Sequence, residues 1–156
     1  MSIDPNKDGV DHINIYSKGR TELGRLLTNF ALLPIKTEDG LFASMEGWWY
    51  WQLGKDLERE QLRTLWGAAA KYAGRDLKIP DWPDPLFLEG FKVKYAQAFR
   101  AKLEQHPRLA EMLKNSHLPL QHYYTFGHPP KVINVDDGLW ITQLMEAERI
   151  RLQGFA

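Results

Sequence analysis

The sequence predicts an α+β fold, in one mainly helical domain with a few short strands. Apolar residues recur at positions i, i+3 and i+4 in several long stretches, which is typical of amphipathic helices. Short alternating segments lie beside turn residues such as Glu38-Asp39-Gly40, which is typical of strands and hairpins. The 156 residues contain no internal repeat and no dividing linker, and this length suits one domain with a real core.

The first part of the chain is predicted to contain short strands and one long aromatic helix. Residues 1–12 are rich in Asp, Asn and Gly and are expected to be a flexible lead-in to a domain that covers residues 13–156. Strands are predicted at 13–16, 31–36 and 41–43, with one or two helical turns over 21–27. Ser44 is a predicted N-cap, with Glu46 in the first turn of the helix that follows.

The second part is predicted to be mostly helical. One helix is expected from the apolar stripe Leu62, Leu65, Trp66, Ala69, Tyr72 and Ala73, ending near Gly74. A proline-containing loop over 76–86 precedes a helix marked by Phe91, Tyr95 and Phe99, which Pro107 ends before a short helix with Leu109, Met112 and Leu113 on one face. Strands are expected at 121–126 and 131–135, and Asp136 or Asp137 is expected to cap a last helix through Trp140 and Met145.

Composition excludes several classes of function. Twenty basic and twenty acidic residues cancel, so binding to nucleic-acid phosphates through overall charge is not expected. The absence of cysteine excludes disulfides, thiolate catalysis and cysteine metal sites. No apolar run is long enough to span a membrane, and residues 1–9 lack an apolar signal core. We therefore expect a cytoplasmic protein without a membrane partner.

Glu46 is the first candidate for chemistry. At about 100° per residue, Trp49, Tyr50, Leu53 and Leu57 share its face of the helix. A carboxylate in an aromatic-lined cavity is suited to stabilising positive charge or accepting a proton. The alternative interpretation is a buried structural glutamate that is hydrogen-bonded to a neighbouring loop.

Lys71 is the second candidate. It lies opposite the predicted apolar stripe of its helix, among the small residues Gly67, Ala68 and Gly74, which would let a ligand or another backbone approach closely. A solvated lysine on the wet face of the helix is the competing interpretation.

Metal and cofactor sites are not predicted. His117, His122 and His128 match no standard metal-ligand spacing. The chain also lacks a nucleophile elbow and the glycine-rich phosphate-binding motifs.

Three stretches in order resemble the NADAR (YbiA-like) family of N-glycosidases. Residues 15–30 end in Leu27-Thr28-Asn29-Phe30, similar to the family's LSNF signature with threonine for serine. Residues 42–49 resemble the family's SxEgyyq motif, and residues 70–75 resemble its AKxxGR element. Weaker matches follow at 122–124 and 137–140, so the resemblance covers about residues 13–152.

The resemblance implies an enzyme that hydrolyses the bond between a ribose or ADP-ribose and a nucleobase. The reaction it favours is the removal of ADP-ribose from modified guanine or nucleic acid. Glu46 falls on the family's catalytic glutamate, and Lys71 on a lysine expected to engage the anomeric carbon, with a Schiff base as one form of that contact. No cofactor or metal is implied. The matched motifs imply these substrate-binding residues: Ser17, Arg25, Asn29, Phe30, Gly47, Trp48, His122, Tyr124, Asp137 and Trp140.

Two departures from the family pattern leave alternatives open. The aromatic pair is Trp48-Trp49, where the family has Tyr-Tyr or His-Tyr, and the glutamine stands later in the chain. The family's glutamine follows soon after the two aromatics, whereas here Tyr50 and Trp51 stand before Gln52. A non-catalytic module that binds ADP-ribose or a nucleotide is one alternative, and a hydrolase of ribosylated pyrimidine intermediates of riboflavin synthesis is another. Arg20, Arg25 and Arg75 are available to bind a diphosphate.

Overall fold

The computed structural model of the chain describes residues 2–79, 85–134 and 140–154. Asp137, predicted to bind substrate or to cap the last helix, lies outside the described residues, as does Asp136. The described helices are α1 (Glu22–Leu27), α2 (Met45–Leu53), α3 (Gly67–Leu77), α4 (Pro85–Gln105), α5 (Pro107–Lys114) and α6 (Trp140–Leu152). The described strands are β1 (Ile13–Asn14), β2 (Ile35–Thr37), β3 (Gly40–Phe42), β4 (Leu120–Gln121), β5 (Tyr123–Phe126) and β6 (Lys131–Asn134). The predicted α+β class, mainly helical with a few short strands, is confirmed.

The contacts of the chain group into two compact units, one from residues 1–28 and 108–156 and one from residues 29–107. In the first unit, β1 pairs in parallel with β4, and β5 pairs with β6 in an antiparallel hairpin. The predicted strand at 121–126 is therefore two strands with different partners. β1 is also shorter than predicted, because regular pairing ends at Asn14.

Residues 8–12, expected to belong to a flexible lead-in, contribute buried groups to the first unit. The Asp8 carboxylate accepts hydrogen bonds from the backbone N–H groups of Asn14 (2.9 Å) and Arg20 (2.8 Å). The buried His12 ring lies with Nε2 2.5 Å from the hydroxyl of Tyr123 and Nδ1 2.6 Å from Asp11. These contacts tie the segment to β1 and β5.

The second unit is built from a hairpin and three α-helices. β2 and β3 pair across the two-residue turn Glu38-Asp39, close to the predicted hairpin, and the cross-strand partners Ile35 and Phe42 are both fully buried. The predicted apolar face of α4 is confirmed, since Phe91, Tyr95 and Phe99 are all buried.

The predicted helix over 62–74 is wrong in its start and in its buried face. The chain forms a 3-10 helix at Leu57–Thr64 and begins α3 only at Gly67, whose φ of 59° cannot continue an α-helix. Trp66 and Tyr72, expected in the core, are 51% and 62% exposed. The buried residues of α3 are instead the small ones, Gly67, Ala70 and Gly74. At Gly74 the reason is close packing, because a Cβ there would lie 2.1 Å from the Tyr50 ring of α2.

Candidate functional site

The segment Asn29-Phe30 joins the N-termini of α2 and α3. The Asn29 carbonyl accepts a hydrogen bond from the Glu46 backbone N–H (2.8 Å), and the Phe30 carbonyl accepts one from the Gly67 N–H (3.0 Å). The first N–H groups of a helix lack partners within the helix, so these two carbonyls satisfy donors that would otherwise be unpaired. This arrangement fixes the starts of both helices against one short piece of chain.

The helix α2 begins as predicted. The Ser44 Oγ accepts from the Gly47 N–H (3.0 Å) and donates to the Leu65 carbonyl (2.9 Å). A Cβ on Gly47 would lie 2.4 Å from the Leu62 carbonyl oxygen, so glycine is needed where this backbone passes. Gly47 therefore has a packing role, and its predicted contact with substrate stays a prediction.

The side chains of Asn29 and Phe30 also belong to this region. The Tyr95 hydroxyl donates to the Asn29 Oδ1 (2.7 Å), which fixes the orientation of that amide. The Lys71 ammonium lies 6.0 Å from the centroid of the Phe30 ring, at the outer limit of a cation–π contact.

Glu46 is a buried carboxyl group, 9% exposed. Within the described parts of the chain, no side chain donates a hydrogen bond to its carboxylate and no ion pair reaches it. Burial raises the pKa of Glu46 to about 7, although the positive charges of Lys71 and Arg75 act to lower it. Both the protonated and the ionised form are therefore populated near neutral pH, which is the condition for general acid–base catalysis.

Tyr50 lies one helical turn after Glu46 on α2. Its ring packs on Gly74 of α3 so closely that a Cβ there would lie 2.1 Å from the Tyr50 Cγ. Burial and the charge of Glu46 raise the pKa of Tyr50, while Arg75 lowers it.

The other aromatics of α2 have separate packing roles. Trp48 is 2% exposed and stacks on Phe91 with the ring centroids 5.7 Å apart, which leaves little of its surface for a ligand. Trp49 is half-buried and meets Phe91 edge-on at 4.7 Å. Trp51 packs under the guanidinium of Arg59, which lies 3.6 Å from its ring centroid.

Trp51 and Gln52, which belong to the departure from the family pattern, therefore serve the scaffold. Trp51 also meets Phe42 of the hairpin. The Gln52 amide donates to Asp39 (2.8 Å) and accepts from Lys94 (3.4 Å). Neither side chain contacts Glu46 in the described residues.

The remaining predicted substrate-binding residues lie in the first compact unit. Ser17 and Arg25 are exposed, and the Arg25 guanidinium donates to the Gly19 carbonyl (2.8 Å). Tyr124 packs on Tyr16 with ring centroids 5.1 Å apart and meets His122 edge-on at 6.1 Å. Trp140 begins α6. Their roles in substrate binding stay predictions.

The described residues contain neither a metal-binding cluster nor a membrane-spanning helix. No group of three or more His, Cys, Asp or Glu side chains is placed to hold a metal ion there. The helices described in the three ranges are all too short or too polar to cross a membrane.

The cluster of Glu46, Tyr50, Lys71 and Arg75 offers a carboxyl group, a hydroxyl and two cations across the α2–α3 contact. The sequence predicts Glu46 and Lys71 as catalytic candidates and places Tyr50 on the same helix face as Glu46, without assigning Tyr50 a role. Its spacing of four from Glu46 was visible on the helical wheel. Tyr95, whose hydroxyl donates to Asn29, could not be predicted as a partner of Asn29 from the sequence. Its spacing from Phe91 and Phe99 indicates only that it lies on the core face of α4.

Comparison with known proteins supports the fold. No family model matches the chain, and no curated protein matches it significantly. Among solved structures, the NMR structure of the E. coli protein YbiA matches with a TM-score of 0.65 and 21% sequence identity. The match covers 97% of this chain and 94% of that one. The chain therefore has a YbiA-like fold over nearly its whole length.

Proposed function

We propose that this protein is an N-glycosidase of the NADAR (YbiA-like) family, hydrolysing the bond between a ribose or ADP-ribose and a nucleobase. The observation that supports it most is the buried Glu46 carboxyl group, whose pKa is raised to about 7 beside the cations of Lys71 and Arg75. A YbiA-like fold along nearly the whole chain and the three matched motifs support the same proposal.

Glu46 has the properties that glycoside cleavage needs. The reaction passes through an oxocarbenium-like state, which a carboxylate stabilises, while a proton must reach the departing base. A carboxyl group with a pKa of about 7 can donate that proton in its acid form or activate water in its ionised form. The surrounding low dielectric strengthens either interaction.

Lys71 is assigned to the anomeric carbon in this proposal. Its charge lowers the pKa of Glu46, so the two groups influence each other across the α2–α3 contact. If the lysine acts covalently, its nitrogen bonds to the anomeric carbon and gives up a proton as the base leaves. The bond from that carbon to the ring oxygen then opens, which leaves an imine and a hydroxyl on the sugar, and water hydrolyses the imine to release the sugar and the free lysine. Reduction with cyanoborohydride during turnover should then attach the sugar to Lys71, as mass spectrometry of the digested protein would show.

The aromatic side chains suit a substrate that contains a nucleobase. Phe30 and Trp49 are both half-buried, so each keeps an open part of its ring. Stacking of a base on such a ring contributes about 1–3 kcal/mol. We propose an ADP-ribosylated base, nucleoside or nucleic acid as the substrate class.

The test is direct incubation of the protein with ADP-ribosylated guanosine and with ADP-ribosylated DNA, followed by chromatography for free ADP-ribose. Glu46→Gln should lower the rate by at least about a hundredfold, the lower limit for loss of a general acid–base group. Glu58→Gln is the matched control, since Glu58 is exposed on the 3-10 helix. Undiminished activity of Glu46→Gln would refute the assigned role.

The same assay separates the alternatives. Saturable binding of ADP-ribose without product over long incubation would support a non-catalytic binding module. Release of ribose phosphate from ribosylated pyrimidines, with no release from ADP-ribosylated guanosine, would support the riboflavin-related activity instead.

A further inference from the structure

The side chain of Asn29 is held by a hydrogen bond from another helix. The Tyr95 hydroxyl of α4 donates to the Asn29 Oδ1 at 2.7 Å. Tyr95 is fully buried, and its ring meets Trp48 and Trp49 of α2 edge-on, with ring centroids 6.0 and 5.7 Å apart. A buried ring that is packed against two others has little freedom to turn, so its hydroxyl stays in one place. The hydroxyl therefore fixes the orientation of the Asn29 amide.

The other end of this amide is an available donor. An asparagine amide carries an acceptor oxygen and an NH2 group with two donor hydrogens. Because Oδ1 accepts from Tyr95, Nδ2 lies on the side of the amide that faces away from that hydroxyl. No residue in the described parts of the chain accepts a hydrogen bond from Nδ2, and the Asn29 side chain is only half-buried. The amide thus presents donors with a fixed direction to a group that arrives from outside.

These donors lie beside the candidate acid. The Asn29 carbonyl accepts the hydrogen bond from the Glu46 N–H at 2.8 Å, so Asn29 lies at the N-terminus of α2 next to Glu46. Trp49, three residues after Glu46 on the same face of α2, meets the Tyr95 ring and is half-buried. Direct contacts therefore bring together a carboxyl group, an aromatic ring with an open part and an oriented amide.

Hydrolysis of an N-glycosidic bond develops negative charge on the departing base. The bond breaks with its electron pair on the base nitrogen, which takes a proton from the Glu46 carboxyl group. Over the whole reaction, water supplies the hydroxyl on the anomeric carbon and returns the proton to Glu46. Until the base is protonated, its charge spreads onto its ring nitrogens and carbonyl oxygens. A hydrogen bond donated to one of these atoms is therefore stronger in the transition state than in the bound substrate.

We propose that the Asn29 Nδ2 donates a hydrogen bond to the departing base, and that Tyr95 is the positioning residue that holds the amide for this contact. This inference rests on the proposed N-glycosidase function. It gives Asn29 a defined partner on the substrate, and it adds Tyr95, which lies outside the matched motifs.

Single-turnover release of ADP-ribose from ADP-ribosylguanosine, with the protein in excess, tests the contact. Asn29→Ala keeps the backbone carbonyl that accepts from Glu46, and it should lower the rate about a hundredfold, as for loss of one preorganised donor. Tyr95→Phe should lower the rate about tenfold through loss of one neutral hydrogen bond. In the double variant, Tyr95→Phe should lower the rate no further, because the amide that it positions is gone.

A second substrate tests whether the contact is with the base. In the 8-aza analogue of the guanine, a ring nitrogen replaces a C–H group, so the base has nearly the same size but departs more readily as an anion. Asn29→Ala should therefore lose a clearly smaller factor on this substrate than on ADP-ribosylguanosine. Equal losses on both substrates would place the contact on another part of the substrate and would overturn the inference.

The pH dependence separates positioning from a general disturbance of the site. Burial raises the pKa of Glu46 to about 7, so a variant that loosened the packing around this acid would shift the pH–rate profile. Tyr95→Phe should keep the wild-type profile at a lower rate. The control is Tyr72→Phe, which removes the hydroxyl of a tyrosine that is 62% exposed on α3 and should leave the rate unchanged. Urea denaturation of each variant checks that the fold is retained.

The outcomes distinguish this inference from the proposed function. If Tyr95→Phe left the rate unchanged, or lowered it by the same factor with and without the Asn29 side chain, the positioning role would be refuted while the glycosidase function stood. A shifted pH–rate profile in Tyr95→Phe would also refute it, because the loss would then come from Glu46. If the wild-type protein released ADP-ribose from neither substrate, the proposed function would fail and the inference with it.

Discussion

The Glu46→Gln substitution should make the protein more stable at alkaline pH. Burial raises the pKa of Glu46 from an ordinary value of 4.5 to about 7. At about 1.36 kcal/mol per pKa unit, keeping the group ionised in the folded state therefore costs about 3 kcal/mol. Glutamine has nearly the same shape and carries no charge, so this penalty disappears.

The pH window follows from these two pKa values. Below about pH 4.5 the carboxyl group is protonated in both the folded and the unfolded chain, and the penalty is absent. Between about 4.5 and 7 only the folded state holds the proton, so the wild-type protein loses stability relative to the variant as pH rises. Above about pH 7 the full difference of about 3 kcal/mol is reached and stays constant.

Urea denaturation of both proteins at pH 4, 5.5, 7 and 8 measures the effect. Other titrating groups contribute equally to both proteins, so the difference between their free energies of unfolding isolates Glu46. Glu58→Gln, which removes an exposed charge, should change stability by less than about 0.5 kcal/mol. The free energies of unfolding of wild type and Glu46→Gln should therefore diverge between pH 4 and 8. If their difference stayed constant, the carboxylate would not be buried without a partner.

Four further substitutions test the close helix contact, the N-cap of α2 and a buried hydrogen bond. Gly74→Ala should destabilise the protein by about 1–3 kcal/mol, because the added Cβ would lie 2.1 Å from the ring packed there. Gly90→Ala on α4 meets open space and should instead stabilise by about 0.5–1 kcal/mol; equal effects in urea denaturation would contradict the close helix contact. Ser44→Ala should lower the free energy of unfolding by about 1–2 kcal/mol through loss of the N-cap, and an unchanged midpoint would count against it. Tyr123→Phe leaves the buried His12 without its 2.5 Å partner and should destabilise by about 1–3 kcal/mol in thermal unfolding, whereas a neutral result would mean that water replaces the hydroxyl.

Local features of the chain were predictable because their physics is local. Ser44 accepts from the Gly47 N–H at a spacing of three residues, a contact decided within one turn. The hairpin at Glu38-Asp39 and the core face of α4 likewise depend on neighbours in sequence. Glu46 could be proposed as a functional residue from its position in the first turn of α2 and from the motif around it.

The sequence alone predicted that α2 begins after Ser44 and that the fold is of the α+β class, since caps, turns and apolar spacing act over a few residues. Only the tertiary structure decided which face of α3 is buried. Hydrophobic spacing favoured Trp66 and Tyr72, yet the buried residues are Gly67, Ala70 and Gly74. At Gly74 the Tyr50 ring of α2 packs where a Cβ would otherwise lie, so a larger residue does not fit. The same contact packs Tyr50 on Gly74, one turn from Glu46, and it brings the charges of Lys71 and Arg75 close enough to lower the pKa of Glu46. The contact depends on residues far apart in the chain, so no local pattern contains it.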